Sequence, residues 1–185
     1  MRTLALLMSA ALSVVAPVPN FPLVDQHAKP FQLYDLKGSP LVLTFIYSRC
    51  PVSKMCPLTV SQLRETGRLA RKNKLGPFRI LLATLDPRND TPLRLRGYAK
   101  QQKLEGPLFI LATGQERTLS DFAGEFNVAS FPSEGTLSHN LKTLLLSSNL
   151  ETVKQYTDND WTPKQLVEDL KNLLATQGPH KGTRH

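Results

Sequence analysis

Two apolar runs in the first half of the chain constrain the fold more than any other feature of the sequence. Residues 41–47 (LVLTFIY) are apolar on both faces, which is typical of a strand in the middle of a covered sheet. Residues 78–85 (FRILLATL) indicate a second buried strand, and residues 57–73 between them carry apolar side chains at roughly helical spacing. A strand, a helix and another strand in this order predict a sheet covered by helices.

The remaining segments extend this pattern into one α/β domain. We predict further elements as follows: an N-terminal β-hairpin over 20–33, helices over 92–103, 115–126 and 161–175, a strand over 108–112, a Pro/Gly/Ser-rich loop over 129–138, and a hairpin from 141–147 and 151–156. A βαβ half followed by a ββα half is the thioredoxin arrangement. The predicted fold is therefore thioredoxin-like, with a central mixed β-sheet flanked by helices and an N-terminal β-hairpin.

The two ends of the chain are predicted to lie outside this domain. In residues 1–19, Arg2 precedes a short apolar run that ends in small residues at Ala16, which is typical of a signal peptide or short leader. If it is not cleaved, this segment would tether the protein to a membrane. The leader predicts export to the bacterial periplasm or the outer face of the inner membrane, where disulfides are stable. We predict the folded domain over 20–176 and a disordered basic tail over 177–185.

The charge balance bears on the partners of the protein. The chain has 23 Lys and Arg against 15 Asp and Glu, a formal net charge of +8. These positive residues are scattered, except over 68–74 and in the tail, and no basic helix carries interleaved aromatic residues. We therefore predict no nucleic-acid partner, and a basic surface that would steer docking to an acidic protein.

The only two cysteines, Cys50 and Cys56, lie between the strand 41–47 and the helix that begins near Pro57. A helix N-terminus favours thiolate over thiol, and thiolate is both a nucleophile and a metal ligand. Residues before proline avoid helical geometry, so we expect both cysteines to be non-helical, with Cys56 at the helix cap. The intervening loop can then double back and bring the two sulfurs together.

Several interpretations of the cysteine pair remain open: a redox-active dithiol, a soft-metal site, a structural disulfide, or two unrelated thiols. Positive charge on Arg49 and Lys54 is expected to lower the thiol pKa values. Zinc held by four protein ligands is disfavoured because the chain has no further cysteine and only four histidines. Thiolates with an imidazole suit copper, as Cu(I) or Cu(II).

Two further segments are candidates for the same site. His139 follows the predicted 129–138 loop and directly precedes a core strand, where a thioredoxin-type fold would bring it near the cysteines. Asp86 ends a strand at the active edge of such a sheet and is a candidate for an electrostatic role. Asp90 or Thr91 is expected to cap the helix that starts at Pro92.

These residues resemble the SCO/SenC family of thioredoxin-like proteins. The resemblance covers about residues 20–175 in order. It rests on Phe-Ile-Tyr-Ser-Arg-Cys-Pro followed by Cys56-Pro57, on Leu-Asp-Pro-Arg-Asn-Asp-Thr-Pro over 85–92, and on Ser-His139-Asn before Leu-Lys-Thr-Leu-Leu-Leu. It implies copper handling, either delivering copper to the copper centre of cytochrome c oxidase or reducing the thiols of that centre. The family's metal site of two cysteines and one histidine corresponds here to Cys50, Cys56 and His139.

The chain departs from the family pattern in two places. The family spaces its cysteines Cys-x3-Cys, whereas this chain has Cys-x5-Cys, and Ser138 stands where the family has an aspartate before the histidine. We predict an exported copper-binding assembly factor whose partner is the copper-centre subunit of the oxidase or another redox client. An exported thiol-disulfide oxidoreductase or peroxiredoxin-like protein is the first alternative, with Cys50 attacking and Cys56 resolving. A binding module with a permanent disulfide is the second.

Overall fold

The computed structural model describes residues 18–133 and 136–177, so most of the predicted leader and tail lies outside the described residues. The elements are β1 (Pro22–Asp25), β2 (Pro30–Gln32), a 3-10 turn (Leu33–Leu36), β3 (Leu41–Ile46), α1 (Cys56–Lys72), β4 (Arg79–Thr84), α2 (Pro92–Gln101), β5 (Phe109–Thr113), α3 (Glu116–Glu125), β6 (Ser130–Ser133), β7 (Thr136–His139), β8 (Lys142–Leu146), β9 (Thr152–Thr157) and α4 (Pro163–Gln177). Within the described residues, no helix is both long and apolar enough to cross a membrane.

The main sheet has seven strands in the order β2-β1-β5-β4-β3-β8-β9. Strand β4 runs parallel to both β3 and β5, and the other neighbours are antiparallel. The predicted mixed sheet and both predicted hairpins are confirmed. Because β3, β4 and β5 run in parallel, the loops that follow them emerge at one edge of the sheet, and the cysteine loop is one of these.

Side chains alternate between two hydrophobic layers along the central strand β3. Leu41, Leu43 and Phe45 face the layer that includes α3, whereas Val42 and Ile46 face the layer that includes α1, α2 and α4. All six residues of β3 are buried. This explains why the sequence of β3 is apolar throughout instead of alternating, since both of its faces are covered.

The structure corrects the prediction of a loop over 129–138. Strands β6 and β7 pair antiparallel as a separate two-stranded ribbon, with Ser130 opposite His139 and Ser133 opposite Thr136. Pro132 lies within β6, and proline inside a run argues against a strand. In a ribbon of two strands, however, each strand has one unpaired edge that tolerates a missing N–H. His139 is therefore the last residue of a paired strand, β7, and not part of a loop.

Candidate metal and redox centre

The two cysteines lie at opposite ends of the loop that connects β3 to α1. The structure corrects the prediction that Cys56 is a non-helical cap residue, because Cys56 is the first residue of α1 and Met55 is the N-cap. The Met55 carbonyl accepts the first helical hydrogen bond, from the Thr59 amide at 3.0 Å, so the helix starts one residue earlier than predicted. Cys50 lies outside the helix, as expected.

The structure brings Cys56 together with His139, which is 83 residues away in the sequence. The distance between Cys56 Sγ and His139 Nε2 is 3.4 Å. Both side chains are buried, with Cys56 0% and His139 6% exposed. A sulfur and an imidazole nitrogen thus meet in a largely water-free position at the base of the cysteine loop.

The second ring nitrogen determines how His139 faces the thiol. His139 Nδ1 lies 3.1 Å from the carbonyl oxygen of Asn140. A carbonyl oxygen only accepts hydrogen bonds, so Nδ1 carries the proton and the neutral ring presents its Nε2 lone pair to Cys56. Burial lowers the pKa of His139, which favours this neutral form. A ligating histidine is commonly oriented by a carboxylate or a carbonyl that binds its other ring nitrogen. Position 138 is a serine and has no carboxylate, and here the Asn140 carbonyl orients the ring.

The thiol of Cys56 is harder to ionise than the sequence suggested. Burial is the largest influence and raises its pKa far above the usual range, and the neighbouring Cys50 raises it further. Backbone hydrogen bonds oppose this shift but are weaker. The expectation that Arg49 and Lys54 lower this pKa is therefore wrong for Cys56, because the loss of hydration outweighs any favourable charge.

Cys50 differs from Cys56 in exposure. Its side chain is half-buried at the rim of the site, and both cysteines are free thiols in the structure. Within the described residues, no three Cys, His, Asp or Glu side chains already surround one position for a metal ion. Binding of one ion by Cys50, Cys56 and His139 together therefore requires a rearrangement of the site.

Two carboxylates fix the segment immediately before Cys50, a role that the sequence did not reveal. Asp90 is completely buried and accepts hydrogen bonds from the Ser48 amide at 3.0 Å, from the Ser48 hydroxyl and from Thr84 Oγ1 at 2.6 Å. Asp86 forms an ion pair with Arg49, with 2.9 Å between Oδ2 and Nη2. Asp86 thus has the electrostatic role considered for it, and its partner is the guanidinium group of Arg49.

Of the two residues predicted to cap α2, Thr91 does so and Asp90 does not. The Thr91 side chain accepts a hydrogen bond from the Arg94 amide at 3.3 Å. Asp90 points instead into the protein, towards Ser48. The carboxylate at this position therefore connects the turn after β4 to the cysteine loop after β3, across neighbouring strands of the sheet.

Tyr47 connects the cysteine loop to the ribbon that carries His139, and sequence reasoning missed it. Its hydroxyl donates to the Leu137 carbonyl at 2.9 Å and lies 2.8 Å from Thr136 Oγ1. Its ring meets the His139 ring edge-on, with 5.7 Å between the centroids. A tyrosine at the end of a buried strand gave no signal beyond its apolar character, because its partners are about 90 residues away.

Comparisons with known proteins agree with this architecture. A sequence model of the SCO1/SenC family matches residues 12–175. A SCO2-like protein of Rickettsia conorii is 29% identical over 160 residues, which cover 83% of this chain and 75% of that protein.

Two solved structures share the fold. Arabidopsis thaliana ScoI with copper bound has a TM-score of 0.77 at 21% identity, covering 87% of this chain and 99% of that chain. BsSco, described as a member of the Sco family of cytochrome c oxidase assembly proteins with a disulfide switch, has a TM-score of 0.73 at 24% identity, covering 86% of this chain and 94% of that chain. On the extent of the family match, this chain belongs to the SCO1/SenC family.

Proposed function

We propose that this protein is an exported copper-binding assembly factor that uses Cys50, Cys56 and His139 as ligands. It acts on the copper centre of cytochrome c oxidase, by delivering copper or by reducing the thiols of that centre. The observation that carries the proposal is the 3.4 Å contact between Cys56 Sγ and His139 Nε2, in which the imidazole presents a lone pair. The signal-like leader supports export.

The chemistry of the donor set fits copper. Thiolates are soft ligands that favour Cu(I), and neutral imidazole binds copper in either oxidation state. His139 already has the second hydrogen bond that orients a ligating histidine, from Nδ1 to the Asn140 carbonyl. The copper-bound structure of Arabidopsis thaliana ScoI, and the membership of BsSco in a family of cytochrome c oxidase assembly proteins, support the same assignment.

The longer spacing between the cysteines is compatible with this function. Residues 51–54 are all exposed, so the loop is not packed into the core. Cys50 can therefore move by rearranging a short surface segment, while Cys56 is held by helix α1. A site with one fixed thiol and one mobile thiol can bind an ion and release it to another protein.

An anaerobic Cu(I) titration of the reduced protein, followed by native mass spectrometry, tests the proposal. We expect one Cu(I) per chain. The thiol must lose its proton on binding, so the titration is carried out in a well-buffered solution of fixed pH. A protein with two reduced thiols that binds no Cu(I) under these conditions would contradict the proposal.

The difference in exposure between the two thiols favours a second candidate function, thiol-disulfide exchange. Cys50 is partly exposed, whereas Cys56 is completely buried. In this function the Cys50 thiolate attacks a client disulfide, forms a mixed disulfide and releases one client thiolate. Cys56 then attacks Cys50 Sγ and releases the second client thiolate, so the protein is oxidised by two electrons and the client is reduced.

Glutathione disulfide is a suitable probe for this exchange. We expect the reduced wild type to release two glutathione thiols per chain and to form the Cys50–Cys56 disulfide. The Cys56→Ser variant should release one and retain the other glutathione on Cys50. The Cys50→Ser variant should react at least about tenfold more slowly, because its one remaining thiol, that of Cys56, is buried and protonated. Equal rates for the two single variants would exclude the assigned order of attack.

A further inference from the structure

The cysteine loop is held from both sides by side chains of distant elements. On the side of Cys50, Asp90 and Asp86 bind Ser48 and Arg49. On the side of Cys56, the contacts come from Asn159, which lies between β9 and α4. Asn159 lies outside the sequence motifs that contain the cysteines, the histidine and the aspartates.

The Asn159 side chain makes three hydrogen bonds at the start of α1. Its Nδ2 donates to the carbonyls of Lys54 at 2.9 Å and Met55 at 3.3 Å, and its Oδ1 accepts from the Thr59 hydroxyl at 2.9 Å. The two backbone carbonyls can only accept hydrogen bonds, so they must face the NH2 group of Asn159, and the Thr59 hydroxyl donates to its amide oxygen. These partners fix the orientation of the side-chain amide. The Asn159 backbone is itself held by Gln62 Nε2 at 3.3 Å.

Between these two attachments, residues 51–53 are exposed and, among the described residues, no backbone hydrogen bond joins residues 50–53 to a distant element, so this is the part of the loop that can rearrange. In the described part of the chain, their backbone hydrogen bonds stay within the loop, from the Cys50 amide to Tyr47 and from the Met55 amide to Val52. Without the contacts of Asn159, the mobile segment would also include residues 54 and 55, and the first residue of α1 would be its next neighbour. That first residue is Cys56.

We infer that Asn159 is a positioning residue for the cysteine pair. It confines the motion of the enlarged loop to residues 50–53, and so keeps Cys56 beside His139 while Cys50 approaches. A shorter mobile segment raises the effective concentration of one thiol at the other, since less backbone has to be ordered when the sulfurs meet. The inference concerns the thiol chemistry of the proposed function and rests on it.

Two variants and one matched control test the inference. Asn159→Ala removes the whole amide, and Asn159→Asp keeps its shape but loses both donors and faces the carbonyls with oxygen. The control Asn73→Ala removes an asparagine whose Nδ2 donates to a backbone carbonyl, that of Leu69, at the far end of α1. Thermal unfolding identifies the temperature at which all four proteins are folded, and the assays are made there.

The first readout is limited trypsin digestion of the native protein, with the cleavage site identified by mass spectrometry. Lys54 is exposed, and its carbonyl is the group that Asn159 holds. We expect cleavage after Lys54 to be about tenfold faster in both Asn159 variants, because cleavage requires this backbone to leave its hydrogen bonds. Asn73→Ala should be cleaved at the wild-type rate.

The second readout is the equilibrium between the reduced protein and glutathione disulfide, which yields the Cys50–Cys56 disulfide and two glutathione thiols. We expect the equilibrium constant to fall by about fivefold to tenfold in both Asn159 variants. A change of this size corresponds to the net free energy of roughly one hydrogen bond, which in the wild type helps to order the loop before the disulfide forms. Unchanged cleavage after Lys54, or faster cleavage with an unchanged equilibrium constant, would overturn the inference. Neither readout uses copper, so failure of the wild type to bind Cu(I) would be a separate result against the proposed function.

Discussion

We expect the double variant Cys50→Ser/Cys56→Ser to lose Cu(I) binding, with an affinity at least about 100-fold below that of the wild type. Losing only the outer partners of a metal ligand already costs about 10- to 100-fold, and here two ligands are replaced. A serine hydroxyl is neutral at neutral pH and is a hard donor, whereas Cu(I) prefers soft thiolates. Competition with a chromophoric Cu(I) chelator under anaerobic conditions measures the difference.

The single variants separate binding from folding. Cys50→Ser alters a half-buried rim position, so its loss of affinity should occur without a large change in the free energy of unfolding. Cys56 is completely buried, so the Cys56→Ser variant places a hydroxyl group in the protein interior. If that hydroxyl finds no hydrogen-bond partner, the free energy of unfolding falls by about 1–3 kcal/mol. Ser53→Ala, in the same loop, is the control and should bind as the wild type does. A double variant with wild-type affinity would place the copper site elsewhere.

The second large effect is expected for His139→Ala, which should weaken Cu(II) binding by about 100-fold and Cu(I) binding by much less. Two thiolates satisfy Cu(I), whereas the oxidised ion needs more ligands and favours nitrogen donors. The loss for Cu(II) is placed at the upper end of the range seen when outer partners alone are removed. Paired Cu(I) and Cu(II) affinities of the wild type and the variant provide the comparison.

Burial of His139 adds a condition to this experiment. The ring is 6% exposed and packs against Tyr47, so its removal leaves a cavity and lowers the free energy of unfolding by roughly 1–3 kcal/mol. Affinities are therefore measured well below the midpoint of unfolding. His27→Ala removes a histidine from the exposed turn between β1 and β2 and should change neither affinity. If His139→Ala keeps both affinities, the imidazole is not a ligand and thiol exchange becomes the better function.

The fold could be predicted from the sequence because its signals are local. The apolar runs 41–47 and 78–85 form β3 and β4, and the helices and hairpins lie within two residues of their predicted bounds. The exception is the ribbon of β6 and β7, where Pro132 and the serines hide two strands that pair only with each other. Side-chain alternation and turn chemistry determine these elements, and both act over a few residues.

The sequence by itself also determined which residues to examine: two cysteines beside prolines at the start of a helix, and one histidine before a core strand. Only the tertiary structure decided their chemistry. The 3.4 Å contact of Cys56 with His139 and the hydrogen bonds of Asn159 to the loop join segments that are distant in the sequence. The ring of His139 is oriented by a backbone carbonyl, which no sequence pattern reveals. Burial, which raises the pKa of Cys56, arises from packing of the whole domain, and charges near in sequence cannot reveal it.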